Sequence, residues 1–349
     1  MYFAMYRLVF LVFFVLITGI FGTGCAEKQQ GVQISETRLL LDTYCTITIH
    51  GDINSELLDE AFAICAELEA LFSITIEGSD VWQINHNLGE FIVVNPRTLE
   101  VINAGLDFGE LSEGMFDISL GRLTRLWDFG SGERNIPTDA EIIAALGAGS
   151  YKNIHISGDK DIVWIEPPDD GDDGGVGSVG IWIDLGAIAK GYIADKIAGF
   201  LIERGVSGAM IDLGGDVVTV GNRQDGNPWR IALRKPFGSM DDWIGIVEAS
   251  NVAVVSSGIY ERQFEVDGVL YHHILDPNTG MPAETDVVSA VVIAESGIAG
   301  EGLSTIAVLA GSDRAPEYFE KVPGFICAVL VLSDGEILVF GDTSCVTIR

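Results

Sequence analysis

The chain has 349 residues, 48% of them hydrophobic, with 20 Lys plus Arg against 51 Asp plus Glu and a formal net charge of -31. That excess of anionic side chains excludes nucleic acid or an anionic lipid surface as the main partner, because both need positive charge on the protein. An anionic small molecule stays within reach if a divalent cation offsets the repulsion, and the apolar fraction can bury one large core or two smaller ones.

Met1 to Arg7 carries one positive charge, and Leu8 to Phe21 is apolar apart from Thr18 and Gly19. The run is too short to span a bilayer comfortably and too uniformly apolar for an amphipathic helix, so residues 1–24 read as a signal peptide. It ends at Gly22-Thr23-Gly24-Cys25, which is similar to a bacterial lipoprotein cleavage box with Cys25 as the lipidated first residue. Ordinary signal cleavage nearby is the alternative. Either way the mature domain is expected outside the cytoplasm, on the lipoprotein reading at the outer face of the cell membrane. Residues 25–35 read as a polar tether and 36–349 as one domain with a subdomain break near 166–180. Cys45, Cys65, Cys327 and Cys345 contain no close-spaced pair. Export permits disulfides but spacing does not show them, and Cys45 and Cys65, in apolar surroundings, read as buried thiols.

Alternation predicts a strand over Arg38 to His50, and Leu57, Ala61, Ile64, Leu68 and Leu71 give a helical stripe over Glu56 to Phe72. A helix is expected from Pro96 to Glu113, with proline near its first turn, and a short one over Asp139 to Gly147. Ile154 to Ile165 reads as a hairpin around Ser157-Gly158-Asp159-Lys160. Asp169 to Gly175 lacks the register and closing glutamate of a calcium loop and reads as a solvated hairpin tip. Ile181 to Leu185 is a predicted strand, Ala187 to Arg204 a helix and Ala209 to Val220 a strand region. Strand signals dominate Trp229–Val255, Gln263–Leu270, Val287–Ala294 and Phe325–Val339. Interleaved helices with many hairpin-like connections favour a mixed α+β architecture over a doubly wound parallel sheet.

Three patterns carry chemistry. Tyr271-His272-His273-Ile274-Leu275-Asp276-Pro277-Asn278-Thr279-Gly280-Met281-Pro282 sets two histidines before a stiff turn, where an imidazole can point into a cleft. His273 can be a base or a satisfied structural histidine, and Asp276 can cap the turn. Glu301, Ser304 and Thr305 fall at i, i+3 and i+4 in the first turn of a helix expected to end near Gly311. These hard oxygen donors suit magnesium or calcium rather than zinc, although ordinary capping would use the same residues. Gly186-Ala187-Ile188-Ala189-Lys190-Gly191 follows a predicted strand and opens a helix, where an anion could sit, but it is neither a Walker loop nor a Rossmann fingerprint. Lys190 stands out in a chain so poor in cations, and Asp184 could bind a sugar hydroxyl or fix that lysine. A base, an oxygen-ligated metal and an anion-accepting helix start together suit transfer of a diphosphate-linked group.

Over nearly all of its mature length the chain resembles the ApbE family, the FAD:protein FMN transferases. The resemblance is carried by Asp42-Thr43-Tyr44-Cys45-Thr46, Ser79-Asp80-Val81-Trp82-Gln83-Ile84-Asn85, Phe116 to Leu123 with Leu126-Trp127-Asp128-Phe129-Gly130, and Ile183 to Tyr192. It continues through Gly214-Gly215-Asp216, Ser256 to Arg262 and His273 to Pro282, in order and spacing. The resemblance implies largely antiparallel sheets with flanking helices, a T-fold-like architecture, and a ligand cleft between two subdomains. It implies cleavage of the FAD pyrophosphate and transfer of FMN to a Ser or Thr hydroxyl of an acceptor protein, such as a redox-complex subunit, with AMP leaving. By position, Asp184 and Lys190 would hold FAD, and Leu41, Thr75, Met115, Phe116, Asp117 and Leu275 would line its site. The Ala187 carbonyl with Glu301, Ser304 and Thr305 would take Mg2+, and His273 would deprotonate the acceptor. Glu301 stands where the family usually has Asp, Thr75 where an aromatic ring often stacks, and Leu41-Asp42 where Met-Gly is usual. A metal-dependent FAD pyrophosphatase and a non-catalytic flavin-binding protein are the alternatives.

Overall fold

A computed structural model of the chain describes residues 32–51, 55–132, 134–147, 149–157, 161–167, 180–239 and 241–349. The signal peptide, Cys25, the start of the tether, the 158–160 hairpin tip, the Asp169–Gly175 loop and most of the expected subdomain break lie outside the described residues.

The first strands, β1 (Val32–Leu40) and β2 (Thr43–Gly51), form an antiparallel hairpin. Leu41 and Asp42 both take positive φ, 55° and 54°, the two-residue turn whose twist matches that of the strands it joins. The single strand expected over Arg38–His50 is therefore two, and β1 begins inside the segment read as a tether. Helix α1 (Glu56–Phe72) buries Leu57, Ala61 and Leu68 of the predicted stripe, leaves Ile64 and Leu71 half-buried, and adds Leu58, Phe62, Cys65 and Phe72 to the buried face. Next come α2 (Asp80–His86), capped by Ser79, then β3 (Ile92–Val93) and α3 (Pro96–Leu111), which opens on an Asn95 cap with proline in its first turn. Helices α4 (Gly121–Trp127) and α5 (Asp139–Leu146) follow, the second opened by a Thr138–Glu141 capping box. Strands β4 (Ile154–Ser157) and β5 (Ile162–Ile165) make the expected hairpin.

Ile181–Leu185 is extended but is not a strand, making only an isolated bridge between Trp182 and Leu120. Its polar groups have other partners: the Asn85 amide both accepts from Ile183 N at 2.7 Å and donates to Ile183 O at 2.8 Å. On the other side Gly121 N donates to Trp182 O and Asp184 N to Ile118 O, each at 2.8 Å. A side chain and a loop replace the neighbouring strands.

Helix α6 (Ala189–Glu203) leads to β6 (Gly208–Leu213) and β7 (Asp216–Gly221), joined through Gly214 and Gly215, both with positive φ. Strands β8 (Trp229–Arg234), β9 (Trp243–Ala249) and β10 (Ala253–Gly258) precede a hairpin of β11 (Gln263–Val266) and β12 (Val269–His272). The chain ends through β13 (Val287–Ala294), α7 (Gly297–Arg314), α8 (Pro316–Phe319), β14 (Phe325–Leu332), β15 (Ile337–Gly341) and β16 (Val346–Ile348).

Among the described residues the main sheet runs β1-β2-β6-β7-β10-β13-β14-β15, with antiparallel neighbours throughout. In β13, Ala290, Val292 and Ala294 face the core shared with α1, α6 and α7, whereas Val291 and Ile293 face a second core under the β16-β9-β8 sheet. With both faces covered, every residue of β13 is buried, which is why it reads as a continuous apolar run. The α+β expectation holds.

Helix α7 differs from its predicted form. It is capped by Ser296, so Glu301 lies in its second turn rather than its first, and Gly311 interrupts it with φ 74°. The run Gly297-Ile298-Ala299-Gly300 lay outside the predicted helix, which opened at Glu301. Its glycines instead admit close neighbours: a Cβ on Gly297 would stand 2.6 Å from the Gly191 carbonyl oxygen, and one on Gly191 2.3 Å from that of Gly297. The backbones of α6 and α7 meet there. Asp195 of α6 then accepts from the first N–H groups of α7, Gly297 at 2.7 Å and Ile298 at 3.1 Å.

Candidate active site

The glycine contact aligns the start of α6 with the second turn of α7. Lys190 Nζ donates to Glu301 Oε1 at 2.7 Å and also to Asp216, at the head of β7. Glu301 Oε2 accepts from Gly191 N at 2.8 Å, and Asp216 Oδ1 from Ser256 N at 3.3 Å. Both carboxylates are almost fully buried, at 3% exposure each. Burial works against the Lys190 charge, but the two carboxylates outweigh it and hold the ammonium above its ordinary range. Burial pushes the Glu301 carboxyl up to about 7, with Lys190 opposing and Asp216 adding to the rise. Glu261, exposed as a residue, has its carboxyl pushed up to about 7 by partial desolvation among its neighbours and by the Asp216 charge. Two buried carboxyl groups thus face one ammonium.

One turn along α7, Ser304 Oγ donates to the Glu301 carbonyl at 3.1 Å and lies 2.8 Å from Ser257 Oγ, which is 3.3 Å from Thr305 Oγ1. The Gly191 N–H, bound to Glu301, leaves the Ala187 carbonyl without a backbone donor among the described residues. Three hydroxyls and the Ala187 carbonyl, beside the Asp216 and Glu301 carboxyl groups, are a hard-oxygen set whose chemistry would suit a magnesium ion. No group of three or more His, Cys, Asp or Glu able to hold a metal occurs among the described residues, and Glu301 itself is engaged with Lys190 and Gly191.

His273 follows β12, its N–H donating to the Arg262 carbonyl at 3.1 Å. Its Nδ1 is buried with no hydrogen-bond partner among the described residues. Burial, then the nearby charge of Arg262, a contribution from His272 and the charge of Lys190 push it down to about 4, so the imidazole is neutral near pH 7. Lys190 thus lies within electrostatic reach of His273 and in direct contact with Glu301. His272 faces the other way: Nε2 meets the Ala283 carbonyl at 3.2 Å, and burial likewise pushes it down to about 4. The turn between them is internally bonded. Asp276 accepts from Asn278 N at 2.9 Å and Thr279 Oγ1 at 3.3 Å, so it caps the turn. Trp127 Nε1 donates to the Gly280 carbonyl at 2.8 Å and ties the hairpin to α4.

The remaining expected site residues hold backbone in place or lie in the core. Asp184 accepts from Thr124 Oγ1 at 2.7 Å and Gly186 N at 2.8 Å. Asp117 accepts from Ser119 N at 2.7 Å and Tyr151 N at 3.2 Å, and burial raises its carboxyl. Leu41 N donates to Glu69 Oε1 at 2.8 Å. Phe116 is buried against Phe108, with ring centroids 5.7 Å apart, and Leu275 lies in the cluster around Trp127. Met115 Sδ is 4.0 Å from an Arg314 nitrogen. Thr75 is exposed and bonded only to Ser73 among the described residues. Sequence reasoning missed Asp216, Glu261 and Ser257 as site residues. Asp216 lay inside the predicted strand region Ala209–Val220, and the other two lay just past the one ending at Val255. The available signal was a carboxylate directly after Gly214-Gly215 in a chain with few cations to pair it.

Fold and centre together have the build of an α+β enzyme whose acid–base groups meet where two helices cross the main sheet. A model of the ApbE family matches residues 41–330, and the chain belongs to that family. It is 29% identical over 338 residues to the FAD:protein FMN transferase of Treponema pallidum (strain Nichols), covering 93% of this chain and 91% of that protein. It is 34% identical over 255 residues to the FAD:protein FMN transferase of Vibrio cholerae serotype O1, covering 72% of each. Among solved structures it resembles the ApbE protein of Thermotoga maritima, with a TM-score of 0.77 and 33% identity over 88% of this chain and 96% of that one. The Vibrio cholerae flavin transferase ApbE gives a TM-score of 0.76 and 26% identity, covering 90% and 98%.

Proposed function

We propose that the chain is a magnesium-dependent FAD:protein FMN transferase, joining FMN to a Ser or Thr hydroxyl of an acceptor protein and releasing AMP. The observation that carries this reading is a neutral, half-buried His273 within electrostatic reach of the Lys190–Asp216–Glu301 cluster, in a chain of the ApbE family. The acceptor oxygen attacks the FMN phosphorus, and the bond from that phosphorus to the bridging oxygen breaks. The bridging oxygen leaves on AMP, and the acceptor proton passes to the His273 imidazole. Lys190 offers positive charge to the phosphates, and its two carboxylates fix its position. Ser257, Ser304 and Thr305 with the Ala187 carbonyl would hold Mg2+, with Glu301 reaching it directly or through water. The ion would supply charge neutralisation at the pyrophosphate oxygens. Asp184 and Lys190 would face FAD, with Leu41, Thr75, Met115, Phe116, Asp117 and Leu275 around it.

The leader and Gly22-Thr23-Gly24-Cys25 support export and a lipid anchor at Cys25, placing the enzyme at the outer face of the membrane beside redox-complex acceptors. A second reading, hydrolysis of FAD to FMN and AMP, is favoured by the exposed Thr75, which offers no ring to hold the flavin and could admit water. Incubation of the protein with FAD, Mg2+ and a Ser/Thr-bearing acceptor separates the two. Flavin fluorescence on the denatured acceptor supports transfer, free FMN alone supports hydrolysis, and unchanged FAD overturns both.

A further inference from the structure

The fold sorts the four cysteines among the described residues into two couples. In the β1–β2 register Cys45 stands opposite Arg38, and cross-strand partners share a face. The Arg38 guanidinium lies 4.4 Å over the Phe62 ring of α1 and pairs with Asp59. Further along α1, Glu69 accepts from Leu41 at the hairpin turn. Cys65 is bracketed by these two contacts, so it faces the hairpin. Cys45 and Cys65 are fully buried in one core as free thiols, Cys45 Sγ donating to the Leu40 carbonyl at 3.4 Å, and each thiol lies within electrostatic reach of the other.

The second couple repeats this at the other end of the sheet. Cys327 on β14 is the cross-strand partner of Gly341, and Asp342 N donates to the Ile326 carbonyl at 2.8 Å. A short turn over Thr343–Cys345, capped by Asp342, folds Cys345 back. Cys327 lies in the core under the β16-β9-β8 sheet and half-buried Cys345 packs against it, its Sγ donating to the Asp342 carbonyl at 3.7 Å, and the two free thiols lie within electrostatic reach of each other. No cysteine among the described residues is left over.

We propose that the folded chain carries two disulfides, Cys45–Cys65 and Cys327–Cys345, formed by exchange with a protein or small-molecule disulfide. Thiols placed only as small hydrophobes would have no reason to meet in pairs without remainder. Each link staples a margin of the molecule: the edge hairpin to α1, and the segment before β16 to β14. Their presence in the cell rests on the exported reading, because cytoplasmic thiols stay reduced. In each step a thiolate attacks the exchange partner's disulfide, forming a mixed disulfide and releasing one partner thiolate. The second cysteine loses its proton to solvent and attacks the first sulfur, releasing the other partner thiolate. Two thiols are oxidised, and one disulfide is reduced to a dithiol. Half-buried Cys345 gives its pair an entry in the folded protein. The fully buried Cys45 and Cys65 must couple before the core closes. The neighbouring Cys45 and then burial raise the Cys65 thiol, and burial pushes Cys327 up to about 12, so neither is poised as a catalytic nucleophile.

The test is refolding of the reduced full chain in a glutathione redox buffer, followed by acid quench, alkylation under denaturing conditions and peptide mapping without reductant. Expected are linked Cys45–Cys65 and Cys327–Cys345 peptides, each two hydrogen masses lighter than its separated parts. Cys65→Ala should delete the first link only and Cys345→Ser the second only, and the oxidised parent should melt several degrees above its reduced form. Alkylation of all four cysteines, a cross-pair such as Cys45–Cys327, or equal melting of both forms overturns the proposal, and a single link overturns the pair that stays reduced. The assay contains no FAD, so its failure leaves the transfer reading standing, and failed transfer does not touch it.

Discussion

The two halves of the candidate centre are held by opposite means. His273 rides on a hairpin that closes on itself within a dozen residues, through Asp276, Gly280 and the bond between Ala283 and Ile274. Lys190, Asp216 and Glu301 come from three elements and meet only because α6 and α7 cross at Gly191 and Gly297 over β7. Burial also acts on them with opposite sign, keeping the imidazole uncharged while raising the Glu301 carboxyl. A local device presents the base, and a non-local one presents the charge.

Breaking the local half tests catalysis alone. His273→Ala should lower FMN transfer by roughly 10²- to 10⁴-fold, the ordinary share of a general base, while FAD still binds and the melting temperature stays close to the parent. Equal loss of binding and rate would assign His273 to substrate positioning. Breaking the non-local half tests the fold. Lys190→Met leaves Asp216 and Glu301 buried without their cation, which should cost about 3–5 kcal/mol by denaturant unfolding. Lys190→Met combined with Asp216→Asn should cost less than Lys190→Met alone, since one uncompensated charge is gone. Strictly additive losses would remove the coupling on which the cluster is argued.

The same division explains what was legible in the chain. Turn chemistry is local, so the His273 hairpin, the α1 stripe and the β13 run could be read from neighbouring residues. Glu301 and Lys190 each stood out, but 111 positions separate them, and no local pattern tells a carboxylate that binds a metal from one that grips a lysine. Asp216 lay inside a predicted strand region, where nothing local marks a carboxylate that will meet a lysine 26 positions away. Ile181–Leu185 had the composition of a strand, and only the fold supplies the Asn85 amide that occupies a neighbouring strand's place. The start of α7 was missed because its glycines serve helix crossing, a contact outside any sequence window.

pH sharpens the contrast. His272 and His273 have folded values near 4 against an ordinary 6.5, so the unfolded chain binds more protons between those limits. Their contribution to stability is complete above about 6.5 and is lost as pH falls towards 4. Glu261 and Glu301 act in the other direction: with folded values near 7 against 4.5, their contribution is full below 4.5 and is lost as pH rises through 7. Melting curves of the metal-free protein should therefore show a shallow net dependence from pH 6.5 to 4.5. His272→Gln should reduce the acid-side loss, and Glu261→Gln should reduce the loss near pH 7. Unchanged slopes in both variants would contradict the burial argument for these groups.

The smallest effect is expected where the local half is tied to α4. Trp127 is fully buried, stacks near Phe129 at 5.4 Å and Tyr271 at 5.8 Å, and makes one polar contact, to the Gly280 carbonyl in the turn after His273. Trp127→Phe keeps an aromatic ring but loses that bond and some volume, which should cost about 1–3 kcal/mol. If the tie positions the hairpin, kcat should fall further than FAD affinity, because the base shifts while the Lys190 cluster, on other elements, does not. A fall in affinity with kcat preserved would mean that the Trp127 cluster shapes the flavin site and that His273 is held well enough by its own turn.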